Sequence, residues 1–282
     1  MEEEINISVG YGEYYRARIS RIAFSFILVS LVYSYFSDTL VSQMVHPVMP
    51  FPSTDLTYRI FHIFRLPEFI SSHTLIATLF DWSCFIVCIL CIINPRQRVG
   101  SIVFFILYLN YFIIYNSYGT HHTHAKIAIL LLPVPFMIQS LKGFVFLWHG
   151  LRYYTCFIFG SAFVWKLFRG SGFYPAQGLL IMKRNLAPYL FFNPESYLAG
   201  CYRWMLAHPA VPDILMDAGF ILEGFFLVGF FTKRFDRILF VAAIVLPFGF
   251  LFLADAFFLE ITLLSLTFYF HAEIATQTTL GR

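Results

Sequence analysis

Residues 151–170 read LRYYTCFIFGSAFVWKLFRG. The run is apolar over the length of a helix, yet Lys166 enters it before the apolar character has ended. A lysine in that position has three fates. Its stem can carry the charge to a membrane interface, it can pair with an acid, or it can lose its proton. Only the third makes it a chemical base.

The rest of the chain sets the medium in which that choice is made. Apolar residues make up 59% of the 282, charged residues 12%, and the mean hydropathy is +0.72. A soluble domain carries about 25% charged residues, so the composition reads as an integral membrane protein. Helical spans need about 20 mainly apolar residues to cross about 30 Å of hydrocarbon. The runs here are continuous rather than alternating, which argues against a β-barrel. The expected fold class is all-α, a polytopic membrane helix bundle with seven or eight transmembrane helices and a long outward-facing loop. The net charge of +3 is spread along the chain, so no nucleic-acid partner is expected. The partners implied are a lipid bilayer and a lipid-soluble small molecule; no protein partner is indicated.

Apolar runs and their polar breaks predict helices over 19–37, 73–93, 99–117, 122–138, 144–168, 212–231, 237–254 and 256–272. The fourth contains Pro133 and Pro135 and should be kinked. The last two are separated only around Ala254 and Asp255, which leaves the count between seven and eight. Residues 1–18 then form a cytoplasmic N-terminal segment, 19–273 a single transmembrane domain and 274–282 a short tail. The N-terminus lacks the compact form of a cleavable signal. Arg16, Arg18, Arg21, Arg96, Arg98, Lys142, Lys233, Arg234 and Arg237 share one side, so both termini are expected in the cytoplasm. The long connections 38–72 and 169–211 then face outward. The expected setting is multi-pass, in a bacterial inner membrane.

That topology gathers His46, His62, His73, His121, His122, His124 and His208 on the outer side, with Lys166 at the outer end of its helix. Only His149 and His271 fall elsewhere. Asn116 lies toward the same face, and Asp81 and Asp217 lie in the outer halves of their helices. In YNSYGTHHTHAKIAILLL, residues 115–132, the side chains of Asn116, His121, His122, His124 and Lys126 stand at a helix mouth. His–x–His can ligate a metal, but no acid accompanies it, and acid–base or interfacial duty is the stronger reading, so no metal is predicted. Charges inside the apolar runs cost on the order of 3 kcal/mol each and mark function or pairing. They are Asp81, Arg152, Lys166, Asp217, Glu223 and Glu260. A Lys166–Asp217 pair would satisfy both groups, and Arg152 would snorkel or pair with Glu223. Cys88 and Cys91 form a CxxC beside Cys84, for which packing outweighs redox or metal chemistry because no second pair follows.

The order of segments resembles the membrane domain of the vitamin K-dependent γ-carboxylase superfamily, the horizontally transferred transmembrane domain. The resemblance is carried by LRYYTCFIFGSAFVWKLFRGSGFYPAQGLL, by NSYGTHHTHAKIAILLL upstream and by DILMDAGFILEGFFLVGFFTKRFDR downstream, and covers about residues 73–270. It implies an outward-facing site in which Lys166 is the base that deprotonates a quinol or vitamin K-like hydroquinone and His124 is its hydrogen-bond partner. The tryptophan usual in the turn after that lysine is replaced by Gly170-Ser171-Gly172-Phe173. The family's carboxylases also carry a large soluble portion after the membrane domain, and this chain ends soon after its last apolar run, so protein carboxylation is not expected.

The functional expectation is therefore a membrane enzyme of carboxylase/epoxidase-like or quinol-linked oxidoreductase type, with a lysine-based site for a quinol-like or other lipid-soluble substrate. Lys166 and His124 would be catalytic. His121, His122, Asn116, Asp81 and Asp217 would contact substrate. In the connection 169–211, which would lie along the interface or close as a lid, Arg203 and His208 would hold an anionic head group. The alternatives are a non-catalytic membrane subunit or small-molecule carrier with structurally paired charges, and a DoxX-like quinone-linked redox subunit.

Overall fold

The computed structural model describes residues 2–44, 65–117, 123–170, 174, 176–254 and 259–270, with side chains from Gly12 onward except at 117, 123–125 and 259. Among the described residues every regular element is helical. They are α1 (Glu2–Phe36), α2 (Leu66–Ser72), α3 (Thr74–Ile93), α4 (Arg98–Ser117), α5 (Thr123–Leu131), α6 (Val134–Met137) and α7 (Leu141–Phe168). After these come α8 (Gln177–Phe192), α9 (Tyr197–Ala207), α10 (Ala210–Phe225), a 3₁₀ turn (Phe226–Phe230) and α11 (Asp236–Ala254). A 3₁₀ stretch (Leu259–Ser265) and α12 (Leu266–Tyr269) complete the set.

Where they are described, the apolar runs of the sequence fall largely on helix. Among the described residues four stretches are long and apolar enough to cross a membrane: Gly12–Phe36, Thr74–Ile93, Arg98–Asn116 and Asp236–Ala254. Their outward surfaces match lipid rather than water. Val29, Leu75, Leu79, Ile86, Ile106 and Val241 are all more than half exposed, whereas Ser20, Ser34, Asp81, Asn110 and Asp236 are buried. That polar-in, apolar-out arrangement is the reverse of a soluble bundle's, and it suits a bilayer.

Several elements differ from the sequence expectation: the run 212–231 passes into a 3₁₀ turn at Phe226–Phe230, and the described part of 256–272 is a 3₁₀ stretch and one helical turn. The first helix begins at Glu2, well before residue 19. The run 122–138 is not one kinked helix; it breaks at Leu132-Pro133 into α5 and the single turn α6, because Pro133 and Pro135 offer no N–H to continue the ladder. The connection 169–211 is not a long loop, since it carries α8 and α9. It folds because apolar residues recur at helical spacing. Gly178, Met182 and Leu186 are buried along one face of α8, and Met182 and Leu186 form a small core with Tyr202 and Met205 of α9. Its ends are tied down too. Ser196 caps α9 by accepting from Ala199 N at 3.1 Å, and Asp213 of α10 accepts from Leu179 N in the first turn of α8.

The chain divides into two compact units, one of residues 1–151 with 270–282 and one of residues 152–269, the division falling within α7. In the first unit α1 packs on α3, α3 on α4, and α4 on α5 and α6. Cys84, Cys88 and Cys91 are buried free thiols along α3, and Cys88 Sγ donates to Phe24 O of α1 at 3.3 Å. In the second unit α8 packs on α9, α10 and α11, and α11 also packs on the 3₁₀ stretch and α12.

Candidate functional site

In the second unit, α7 runs into its last turn with Lys166 and stops at Gly170, whose φ of 70° is left-handed and costs glycine nothing. A cation in the last turn also complements the negative end of the helix dipole. Upstream on α7, ring pairs hold the helix against the next elements. Phe159 packs its ring, tilted, on Phe226 with centroids 4.4 Å apart, and Phe163 likewise on Phe220 at 4.5 Å. Gly160 lies under Leu227 and Gly224 under Phe163, each so close that an added Cβ would collide. These small residues let the helices approach closely.

That approach sets Lys166 Nζ 2.6 and 2.7 Å from the two carboxylate oxygens of Glu223 on α10. Glu223 is 2% exposed in its side chain and Lys166 26%, so the ammonium is the accessible end of the pair. The acid is not Asp217, which is exposed on the same helix, six residues earlier. Nor does Glu223 serve Arg152. Arg152 is fully buried and bonds Asp236 through Nε at 2.9 Å and Nη2 at 2.6 Å, with Nη1 on Gly229 O at 2.9 Å. Lys166 and Arg152 therefore both have carboxylate partners that differ from those expected from depth in the sequence.

Lys166 Nζ also lies 5.1 Å from the centroid of the Phe250 ring on α11. Phe250 lines an apolar cavity of about 170 Å³ between α8, α10 and α11, together with Ile181, Met216, Leu222, Leu246 and Gly249. The ion pair and the cavity thus share one wall residue. An ammonium has three donors, and two are directed at Glu223. The arrangement can hold a carbonyl or hydroxyl oxygen on the remaining N–H.

The other sequence candidates are dispersed. Arg203 and His208 lie exposed on and just after α9, with His208 Nδ1 2.8 Å from Trp204 O and its ring against Trp204. In the first unit, Asp81 is buried and accepts from Val41 N at 3.1 Å and Ser42 N at 2.8 Å, fixing the turn after α1. Asn116 is half-buried near the end of α4. His124 lies in the first turn of α5 by its backbone, its side chain not being described; His121 and His122 fall outside the described residues. Beyond them, Lys126 is buried with its ammonium 4.4 Å from the Tyr115 ring and 3.4 Å from Ser34 Oγ. Among the described residues no three His, Cys, Asp or Glu side chains form a group that could hold a metal.

Sequence reasoning missed Asp236 and Phe250, and it assigned Glu223 to the wrong cation. The usable signal was the small residues beside the acids. Gly224 adjoins Glu223 and receives Phe163, one turn before Lys166, which sets the register of the two helices. No family model, no curated protein and no solved structure matches this chain, so its site rests on its own geometry.

Proposed function

We propose that this chain is a multi-pass membrane protein of seven or eight spans, with both termini cytoplasmic, that holds a lipid-soluble, ring-bearing molecule of the quinol class against the Lys166–Glu223 pair. The observation that carries the reading is Phe250. Its ring centroid lies 5.1 Å from the ammonium, and the same residue lines the apolar cavity. A flat ring in that cavity would stack on apolar walls and present its oxygen to Lys166.

The pair defines what chemistry is open. As an ammonium, Lys166 donates and is no base. It becomes one only after its proton passes to Glu223, leaving a neutral amine beside a neutral acid. The amine lone pair can then take the hydroxyl proton of a bound quinol, giving a quinolate next to the restored ammonium. The net transfer is from quinol to Glu223. The resemblance to the γ-carboxylase membrane domain supports the same lysine, though not protein carboxylation. The two short contacts favour a second reading as well: a non-catalytic carrier or subunit in which the pair is structural and only orients the ligand.

The test is titration of the purified full chain with a short-chain quinone and its quinol, read by quenching of tryptophan fluorescence. Saturable binding is expected. It should weaken at least about tenfold in Gly249→Leu, because Gly249 lines the cavity and a Cβ there meets open space. Unchanged affinity in that variant overturns the assignment. Turnover of the quinol that is lost in Lys166→Met, in a protein that still binds, separates the enzyme from the carrier.

A further inference from the structure

One groove of the first unit lies far from the lysine in sequence. It occupies about 840 Å³ between the middle turns of α1 and the turn that follows α3. Arg18 and Arg21 of α1 and Arg96 of the turn line it, together with Tyr14 and the aliphatic Ile22 and Ile93. Tyr14, Arg18 and Arg21 are spaced by four and three residues, so they share one face of α1. All three arginines are exposed, and among the described residues none has a carboxylate within ion-pair distance. The neighbouring Arg16 is different. It is buried and spends its guanidinium on the carbonyls of Phe136, Ile138 and Gln139, and its nearest acid is Glu13 at 3.6 Å.

Three uncompensated guanidinium groups facing one concavity attract an anion, and their planar forks suit phosphate oxygens. Two further facts narrow the anion. The groove stands at the ends of two of the membrane-length helices, Gly12–Phe36 and Thr74–Ile93. Its lining also includes the aliphatic side chains of Ile22 and Ile93, which a free phosphate ion would not use and an acyl chain would. We infer that this groove binds the phosphate of an anionic phospholipid, with Arg18, Arg21 and Arg96 on the head group and the upper acyl chain along Ile22 and Ile93. Basic pockets between helices at the cytoplasmic level are a recurring solution for such lipids. The inference does not depend on the quinol reading, since the groove contains none of the residues of that site.

Positive residues near span ends also orient membrane proteins during insertion. A purely topological role requires no lipid selectivity after folding, which makes the two roles separable. The experiment is native mass spectrometry of the full chain in detergent, titrated in parallel with phosphatidylglycerol and with phosphatidylcholine of identical acyl chains. Phosphatidylglycerol adducts should persist at about tenfold lower lipid concentration than phosphatidylcholine adducts. Arg18→Gln/Arg96→Gln should remove the preference while the melting temperature stays near that of the parent. Arg18→Lys/Arg96→Lys should keep part of it. Equal binding of the two lipids overturns the inference, as does full selectivity in the glutamine variant. Displacement of the lipid by millimolar inorganic phosphate alone would identify a simple anion site and overturn the lipid assignment. If the glutamine variant does not fold, the comparison of the two lipids on the parent chain decides.

Discussion

One ammonium, Lys166 Nζ, meets both carboxylate oxygens of Glu223, and the two partners are unequally buried: 26% of the lysine side chain is exposed and only 2% of the glutamate's. The asymmetry gives the two halves of the pair different consequences. Lysine's stem lets its charge move toward solvent when the partner is lost, whereas a buried carboxylate has nowhere to go.

Lys166→Met should therefore cost more than Glu223→Gln. The first strands a charge and is expected to lose about 3–5 kcal/mol; the second leaves an escaping ammonium and is expected to lose about 1–3 kcal/mol. Lys166→Met/Glu223→Leu should recover most of the larger loss, because both charges are then gone. Denaturant unfolding in a fixed detergent measures all three. Equal losses for the two single variants would contradict the burial asymmetry.

Arg152 poses the same question with less freedom. Its guanidinium joins Asp236 to the carbonyls of Gly229 and Thr232, so one side chain fixes the 3₁₀ turn to the start of α11. Arg152→Lys keeps the charge but cannot supply the fork, and should destabilise by about 2–4 kcal/mol. A lysine variant that melts with the parent would show that the charge alone matters here.

What could be read in the sequence was what a single apolar run or a single charge announces. The runs 73–93, 99–117 and 237–254 fall on helical stretches of the length a bilayer asks for, Thr74–Ile93, Arg98–Asn116 and Asp236–Ala254. Lys166 and Arg152 were recognisable as costly charges. Their partners were not, because pairing depends on which helices touch. Depth along each run placed Lys166 beside Asp217, but α7 meets α10 through Phe163 and Gly224, which brings Glu223 to the lysine instead. The connection 169–211 read as loop because its Lys183, Arg184 and Pro188 interrupt the apolar character. As a helix it keeps those polar groups off the face that carries Met182 and Leu186.

The seating of α8 depends on a glycine. A Cβ at Gly178 would collide with the backbone carbonyl of Pro212, an atom that cannot swing aside. Gly178→Ala should force α8 away from α10 and lower stability by about 1–3 kcal/mol. Gly200, inside α9, meets nothing within 4 Å. Gly200→Ala should stabilise by about 0.5–1 kcal/mol, through helix propensity alone. Melting temperatures of the two variants, compared with the parent, check the contrast. A harmless Gly178→Ala would mean that α8 does not lie this close to Pro212.

The cysteines give the last prediction. Cys84, Cys88, Cys91 and Cys156 are buried free thiols, and Cys201 is half-buried. Cys88 and Cys91 have redox spacing, but Cys88 donates to Phe24 O and Cys91 Sγ lies so close to Gly100 that a Cβ there would collide, positions that suit packing groups. A thiol must reach the reagent to be alkylated. Brief exposure of the folded chain to a water-soluble maleimide should modify Cys201 alone, and the other four should react only after denaturation. Mild oxidant should leave the intact mass free of a two-hydrogen loss, and Cys88→Ala/Cys91→Ala should leave quinone binding unchanged. Rapid labelling of Cys88 or Cys91, or a disulfide between them, would instead make this pair a redox site.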